Sequence, residues 1–144
     1  MNLTCEERID EQLESYLEDL GVLYNRQDFY THEEFEAFKE KFENVFGCRI
    51  EDEADLEDKQ QQASAEYGLC FDYVDGEEDG TENYYRYQLC WGGPSAEFRF
   101  YVIDEHTPTV NKIDFVFLDW FDGATRTLSG EDYDLLYQVF ETFI

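Results

Sequence analysis

The chain has 144 residues, 36 of them acidic against 10 basic, and a formal net charge of -26. Such a charge excludes direct binding to nucleic acid and disfavours an anionic membrane surface, because phosphates and carboxylates repel. It does not imply disorder: 13 Phe, 11 Tyr and 2 Trp supply the apolar area needed to offset the ordering entropy of a highly charged chain.

The first residues, Met1-Asn2-Leu3-Thr4-Cys5-Glu6-Glu7, have neither a basic start nor an apolar stretch, so no secretory signal is expected. No apolar run reaches the roughly 20 residues of a membrane span. Thr4 followed by Glu7 fits a capping box, and Ile9, Leu13, Tyr16, Leu17 and Leu20 repeat at helical spacing, with Gly21 placed to stop the helix. A second helix is expected from Thr31, with Glu34 as the box partner and Tyr30 and Phe35 as a hydrophobic staple. Its apolar face is Phe35, Phe38, Phe42, Val45 and Phe46, and Gly47 ends it.

Residues 51–66 are polar and weakly periodic and read as a solvated acidic connector with room for one helical turn. The period then changes to two. Tyr67, Leu69, Phe71 and Tyr73 make one strand; Tyr85, Tyr87, Leu89 and Trp91 a second; Phe98, Phe100 and Val102 a third; Ile113, Phe115 and Phe117 a fourth. Asp75-Gly76-Glu77-Glu78-Asp79-Gly80, Gly92-Gly93-Pro94-Ser95 and His106-Thr107-Pro108 punctuate them. Ser129 then caps a last helix carrying Leu135, Leu136, Val139, Phe140 and Phe143. The pattern predicts one α+β domain over residues 1–144. It has two N-terminal helices (1–50), the connector, and a four-stranded antiparallel meander with a C-terminal helix (67–144).

The acid is ordered along this pattern. Glu7, Glu11, Glu14 and Glu18 line one stripe of the first helix, opposite its apolar face. Glu33, Glu36, Glu40 and Glu43 make a comparable row on the second. Each row spreads four charges over roughly 15 Å, at about 1.5 Å of rise per residue. A DNA strand carries a phosphate every ~3.4 Å, a spacing of the same order. The loop acids Asp75, Glu77, Glu78 and Asp79 form a second, more mobile candidate surface, as do the acids of the connector.

Catalytic and metal signatures are lacking. Asp75, Glu77, Asp79, Gly80 and Asn83 match early positions of a calcium loop, but Arg86 stands where the bidentate Glu belongs. Cys5, Cys48, Cys70 and Cys90 form no C-x-x-C pair, and His32 and His106 stand alone. Cys70 and Cys90 could face each other across neighbouring strands, and buried thiols are the expected state. In Leu118-Asp119-Trp120-Phe121-Asp122-Gly123-Ala124 the two carboxylates could serve as an acid/base pair. The simpler expectation is a tight turn with Gly123 at positive φ and Trp120 in the core. No catalytic residue, metal or cofactor is therefore expected.

Carboxylate rows on the helices of a small aromatic α+β body resemble the nucleic-acid mimics of phages and plasmids, the anti-CRISPR and antirestriction proteins. The resemblance rests on the two Glu rows, the 51–58 acids and the Asp75-to-Asp79 loop. It implies a monomeric or homodimeric inhibitor in the host cytoplasm. Its partner would be a basic nucleic-acid-binding protein such as a CRISPR effector or restriction enzyme. An immunity or antitoxin protein against a basic toxin uses the same electrostatics, and a halophile-adapted binding domain shares the acidity. The aromatic load argues against the halophile. Near-UV circular dichroism should accordingly show strong aromatic bands in ordinary buffer; bands recovered only in molar salt would indicate halophilic adaptation.

Overall fold

The computed structural model describes residues 3–24, 29–76, 82–107 and 109–144. Among these are four helices and five strands in the order α1 (Cys5–Tyr24), α2 (His32–Phe46), α3 (Glu53–Tyr67), β1 (Cys70–Val74), β2 (Tyr84–Cys90), β3 (Ser95–Tyr101), β4 (Lys112–Asp119), β5 (Asp122–Thr127) and α4 (Gly130–Glu141). No helix among the described residues is long and apolar enough to cross a membrane. The chain divides into two compact units, one of residues up to Ser15 with Gly68–Ile144, the other Tyr16–Tyr67. The boundary falls inside α1.

In the first unit the strands form one antiparallel sheet in sequence order, β1-β2-β3-β4-β5. The meander is as expected, but it has five strands rather than four. β5 was hidden because Asp122-Gly123-Ala124-Thr125-Arg126-Thr127 buries only Ala124, the polar habit of an edge strand. The register puts Tyr87 opposite Phe98 and Phe98 opposite Phe115; beside them run Tyr85, Phe100 and Ile113. This makes one face aromatic. Leu136, Val139 and Phe140 of α4 cover part of it, with Phe140 5.0 Å from Phe100 between ring centroids. Phe143, just past the helix, stacks on Phe71 at 4.4 Å.

The first turns of α1 cover the β4–β5 side of the same face. Arg8 lies over the Phe117 ring and pairs with Asp119 at 2.6 Å, and the backbone N–H of Cys5 donates to Asp122 at 2.7 Å. The Thr4/Glu7 box forms as predicted. In the sheet unit Gly68 has no room for a side chain: a Cβ there would lie 2.0 Å from the Tyr87 ring.

In the second unit α1 runs past Gly21 to Tyr24, because Val22, Leu23 and Tyr24 are buried. Burying them outweighs the roughly 1 kcal/mol that a helical glycine costs. Thr31 caps α2, and Gly47 ends it at φ 66°. Tyr30, however, is 87% exposed. The staple is made instead by Phe29, which meets Phe35 edge-on at 5.5 Å. The supposed connector is α3. Its inner stripe is Leu56, Gln60, Ala63 and Tyr67, a helical spacing disguised by a polar member. Gln60 is buried because its Nε2 donates to the Val22 carbonyl near the end of α1, one of the carbonyls a helix leaves unpaired.

Gly68→Ala should destabilise the sheet unit by about 1–3 kcal/mol through overpacking, and Phe98→Ala by about 3–5 kcal/mol through the cavity left. Chemical denaturation, read by near-UV signal, measures both.

Candidate functional site

Charge is distributed by element. The strands carry five acids and four bases; α1 carries seven and one, α2 five and two, α3 five and one, and α4 four and none. The strand charges are all satisfied, some across the sheet and Asp119, Asp122 and Arg126 by the first turns of α1. On the sheet face opposite the aromatics, Asp72, Arg86, Arg99, Asp114 and Thr127 are successive neighbours across the strands. Arg86 donates twice to Asp72, at 3.0 and 2.7 Å, and these bonds raise its pKa. Arg99 donates to Glu97 at 2.8 Å and stacks over Tyr84. Lys112 approaches Asp114, which also accepts from Thr127 at 2.7 Å. These bonds let Glu97 and Asp114 be only 3% and 5% exposed in so acidic a chain.

The helices are not compensated. Among the described residues Glu11, Glu14 and Glu18 on α1, and Glu33 and Glu40 on α2, are exposed and make no hydrogen bond or ion pair. The other row members have local tasks. Glu7 Oε1 accepts from the backbone and hydroxyl of Thr4. Glu36 lies between His32 and Lys39. Glu43 is half-buried and accepts from the backbone N–H of Ile50 at 2.8 Å, holding the chain after α2. Of the predicted set, Glu18 and Glu40 are brought together, lining one surface depression of about 370 Å³ with Lys41 and Asn44. Asp75 is exposed at the end of β1, and Glu77, Glu78 and Asp79 lie outside the described residues.

Missed in the sequence was the helical placement of the 51–58 acids. Asp52 accepts from the N–H of Asp55, and Asp55 accepts from the N–H of Glu51, a reciprocal cap made by two aspartates. The Asp-x-x-Asp spacing before Leu56 was the available signal. The Glu51 N–H, helped by Lys59, lowers the Asp55 pKa. Exposed Glu53, Glu57 and Asp58 therefore stand on a rigid α3 rather than on a flexible linker.

Asp119 and Asp122 are occupied structurally, the first by Arg8 and the second by the Cys5 and Gly123 N–H groups, which lower its pKa. Burial, then the Asp122 charge, pushes the Cys5 thiol up, so it stays protonated and unreactive. Cys70 is exposed opposite Gln88, while Cys90 pairs with Ala96 past a bulge, so the two cysteines do not face each other. No cluster able to hold a metal occurs among the described residues. Comparison with known proteins finds no matching family model, no similar curated protein and no similar solved structure.

Asp52→Ala should cost about 1 kcal/mol, the usual value of a cap. The contribution of Asp55 has the sign of a depressed carboxyl. It is complete above the unfolded value near pH ~4 and is lost as pH falls through the lower folded value. The melting-temperature gap between wild type and Asp55→Asn should therefore be present at pH 7 and narrow as pH falls below the ordinary carboxylate range.

Proposed function

We propose that the chain is an acidic nucleic-acid mimic that binds and inhibits a basic nucleic-acid-binding defence complex, of the CRISPR-effector or restriction type. The observation that carries this reading is the segregation of charge. The strand charges find partners within the sheet or on the first turns of α1, whereas the outer faces of α1, α2 and α3 present exposed carboxylates on fixed helical spacing with few cations among them. A helix holds its carboxylates without the ordering cost that a flexible acidic loop pays on binding. The summed field steers a basic partner and speeds encounter. Lys and Arg that ordinarily hold phosphates would meet Glu11, Glu14 and Glu18 along α1, and Glu33 and Glu40 along α2. The occupied state of Asp119 and Asp122 supports a binding protein rather than an enzyme.

The test is binding to a guide-RNA-loaded CRISPR effector and to a restriction endonuclease, with duplex DNA as competitor. Single Glu→Gln changes should be mild, about 0–1 kcal/mol each. The triple change Glu11→Gln, Glu14→Gln, Glu18→Gln should slow association roughly tenfold and flatten its salt dependence. Glu7 and Glu43 are left intact, since their loss would disturb the fold. Row variants that bind like wild type at low and high salt would remove α1 and α2 from the interface. Failure of excess DNA to displace the chain would exclude competition for a nucleic-acid channel.

A further inference from the structure

The β4–β5 hairpin turns through two residues, Trp120 and Phe121, between the paired Asp119 and Asp122. Both side chains stand in solvent, 88% and 105% exposed. Trp120 has φ 57°, a left-handed conformation that bulky residues rarely adopt. A glycine or asparagine would make such a turn with less strain, so the turn itself has no need of the indole.

The β2–β3 turn lies at the same end of the sheet and adds Trp91, 72% exposed. The two turns are adjacent: a Cβ on Gly93 would lie 4.0 Å from Trp120 Nε1. Leu118 is exposed beside them. The flanking carboxylates do not spoil this apolar tip, because Arg8 takes Asp119 and the Cys5 N–H takes Asp122. The same two contacts tie the hairpin to α1, so the aromatics project from a held base.

We infer that Trp91, Trp120 and Phe121 form an aromatic anchor that enters a base-stacking pocket of a basic nucleic-acid-binding protein, in the place of an unpaired base. The inference rests on the mimic reading above and extends it. Proteins that hold single strands combine a basic groove for the backbone with aromatic and arginine side chains on which bases stack. The helix carboxylates answer the first requirement. Exposed indole and phenyl rings answer the second, and a guanidinium stacks favourably on Trp. Charge selects this occupant: a net charge of -26 repels a second copy, a nucleic acid and an anionic bilayer alike.

Trp91 and Trp120 are the chain's two tryptophans, so its tryptophan fluorescence reports on the tip alone. The experiment titrates a guide-RNA-loaded CRISPR effector into the intact chain labelled with a red-shifted tryptophan analogue, excited where the effector's own tryptophans do not absorb, and reads emission wavelength and acrylamide quenching. Complex formation should shift emission to the blue and reduce quenching, and excess oligothymidylate should reverse both. The double change Trp120→Ala, Phe121→Ala should weaken binding about tenfold or more, the loss typical of an aromatic anchor, chiefly through faster dissociation and with the salt slope unchanged. Trp120→Gly removes the strain and the indole together. Its melting temperature should hold or rise while affinity falls, a split that a merely structural tryptophan would not produce. If wild type and the double variant bind equally with no change in emission, the anchor is overturned and the mimic stands. If wild type does not bind, the mimic reading fails and the anchor falls with it. A blue shift that grows with the chain's own concentration, without effector, overturns the proposal in favour of self-association.

Discussion

The sheet unit depends throughout on covering its aromatic face. Tyr87, Phe98, Phe100, Phe115 and Phe117 sit at the centre of the meander, and the register of two strand pairs brings them onto one side. Each buried phenylalanine contributes about 1.5–3 kcal/mol, whereas a like-charge pair at i,i+4 on a helix costs a few tenths. A handful of core aromatics therefore offsets the repulsion of whole carboxylate rows. The aromatic load and the acidity, which rarely coexist, are two halves of one arrangement.

The few cations are placed where that arrangement needs them. Arg8 and Arg126 fasten α1 to the β4–β5 side, the latter through Glu6 and Asp10. Arg86, Arg99 and Lys112 satisfy acids on the opposite face of the sheet. Because these cations are engaged in the sheet unit, the exposed faces of α1 and α2 keep their charge. The exterior field thus follows from how the interior is held together. Local use of carboxylates trims that field without removing it: Glu7, Glu43, Asp52 and Asp55 close helix ends or fix loops, and Glu11, Glu14, Glu18, Glu33 and Glu40 face water.

The hairpin tip obeys a different logic. Asp119 and Asp122 anchor it from below, and its two largest side chains gain nothing from the fold above. A strained tryptophan with no packing partner to reward it breaks local rules where the rest of the chain keeps them. Such a departure is expected where a surface is shaped by something outside the molecule.

Much of this was determined by the sequence. Periodicity located α1, α2, α4 and four of the strands, and the Thr4/Glu7, Thr31 and Gly47 signals marked helix ends correctly, because capping and turn chemistry act within a few residues. The carboxylate rows were legible for the same reason, since helical spacing alone puts side chains on a common stripe. Tertiary structure decided the rest. The inner stripe of α3 is completed by Gln60, whose partner carbonyl at the end of α1 no local pattern reveals. β5 exists because β4 offered it an edge. Gly21 failed to stop α1 because the next three residues had a core to enter. Trp120, expected in the core, was turned outward by a two-residue hairpin whose ends are pinned by residues more than a hundred positions away. Nor could any stretch of sequence say which glutamates are free, because each answer lies in a partner brought in by folding.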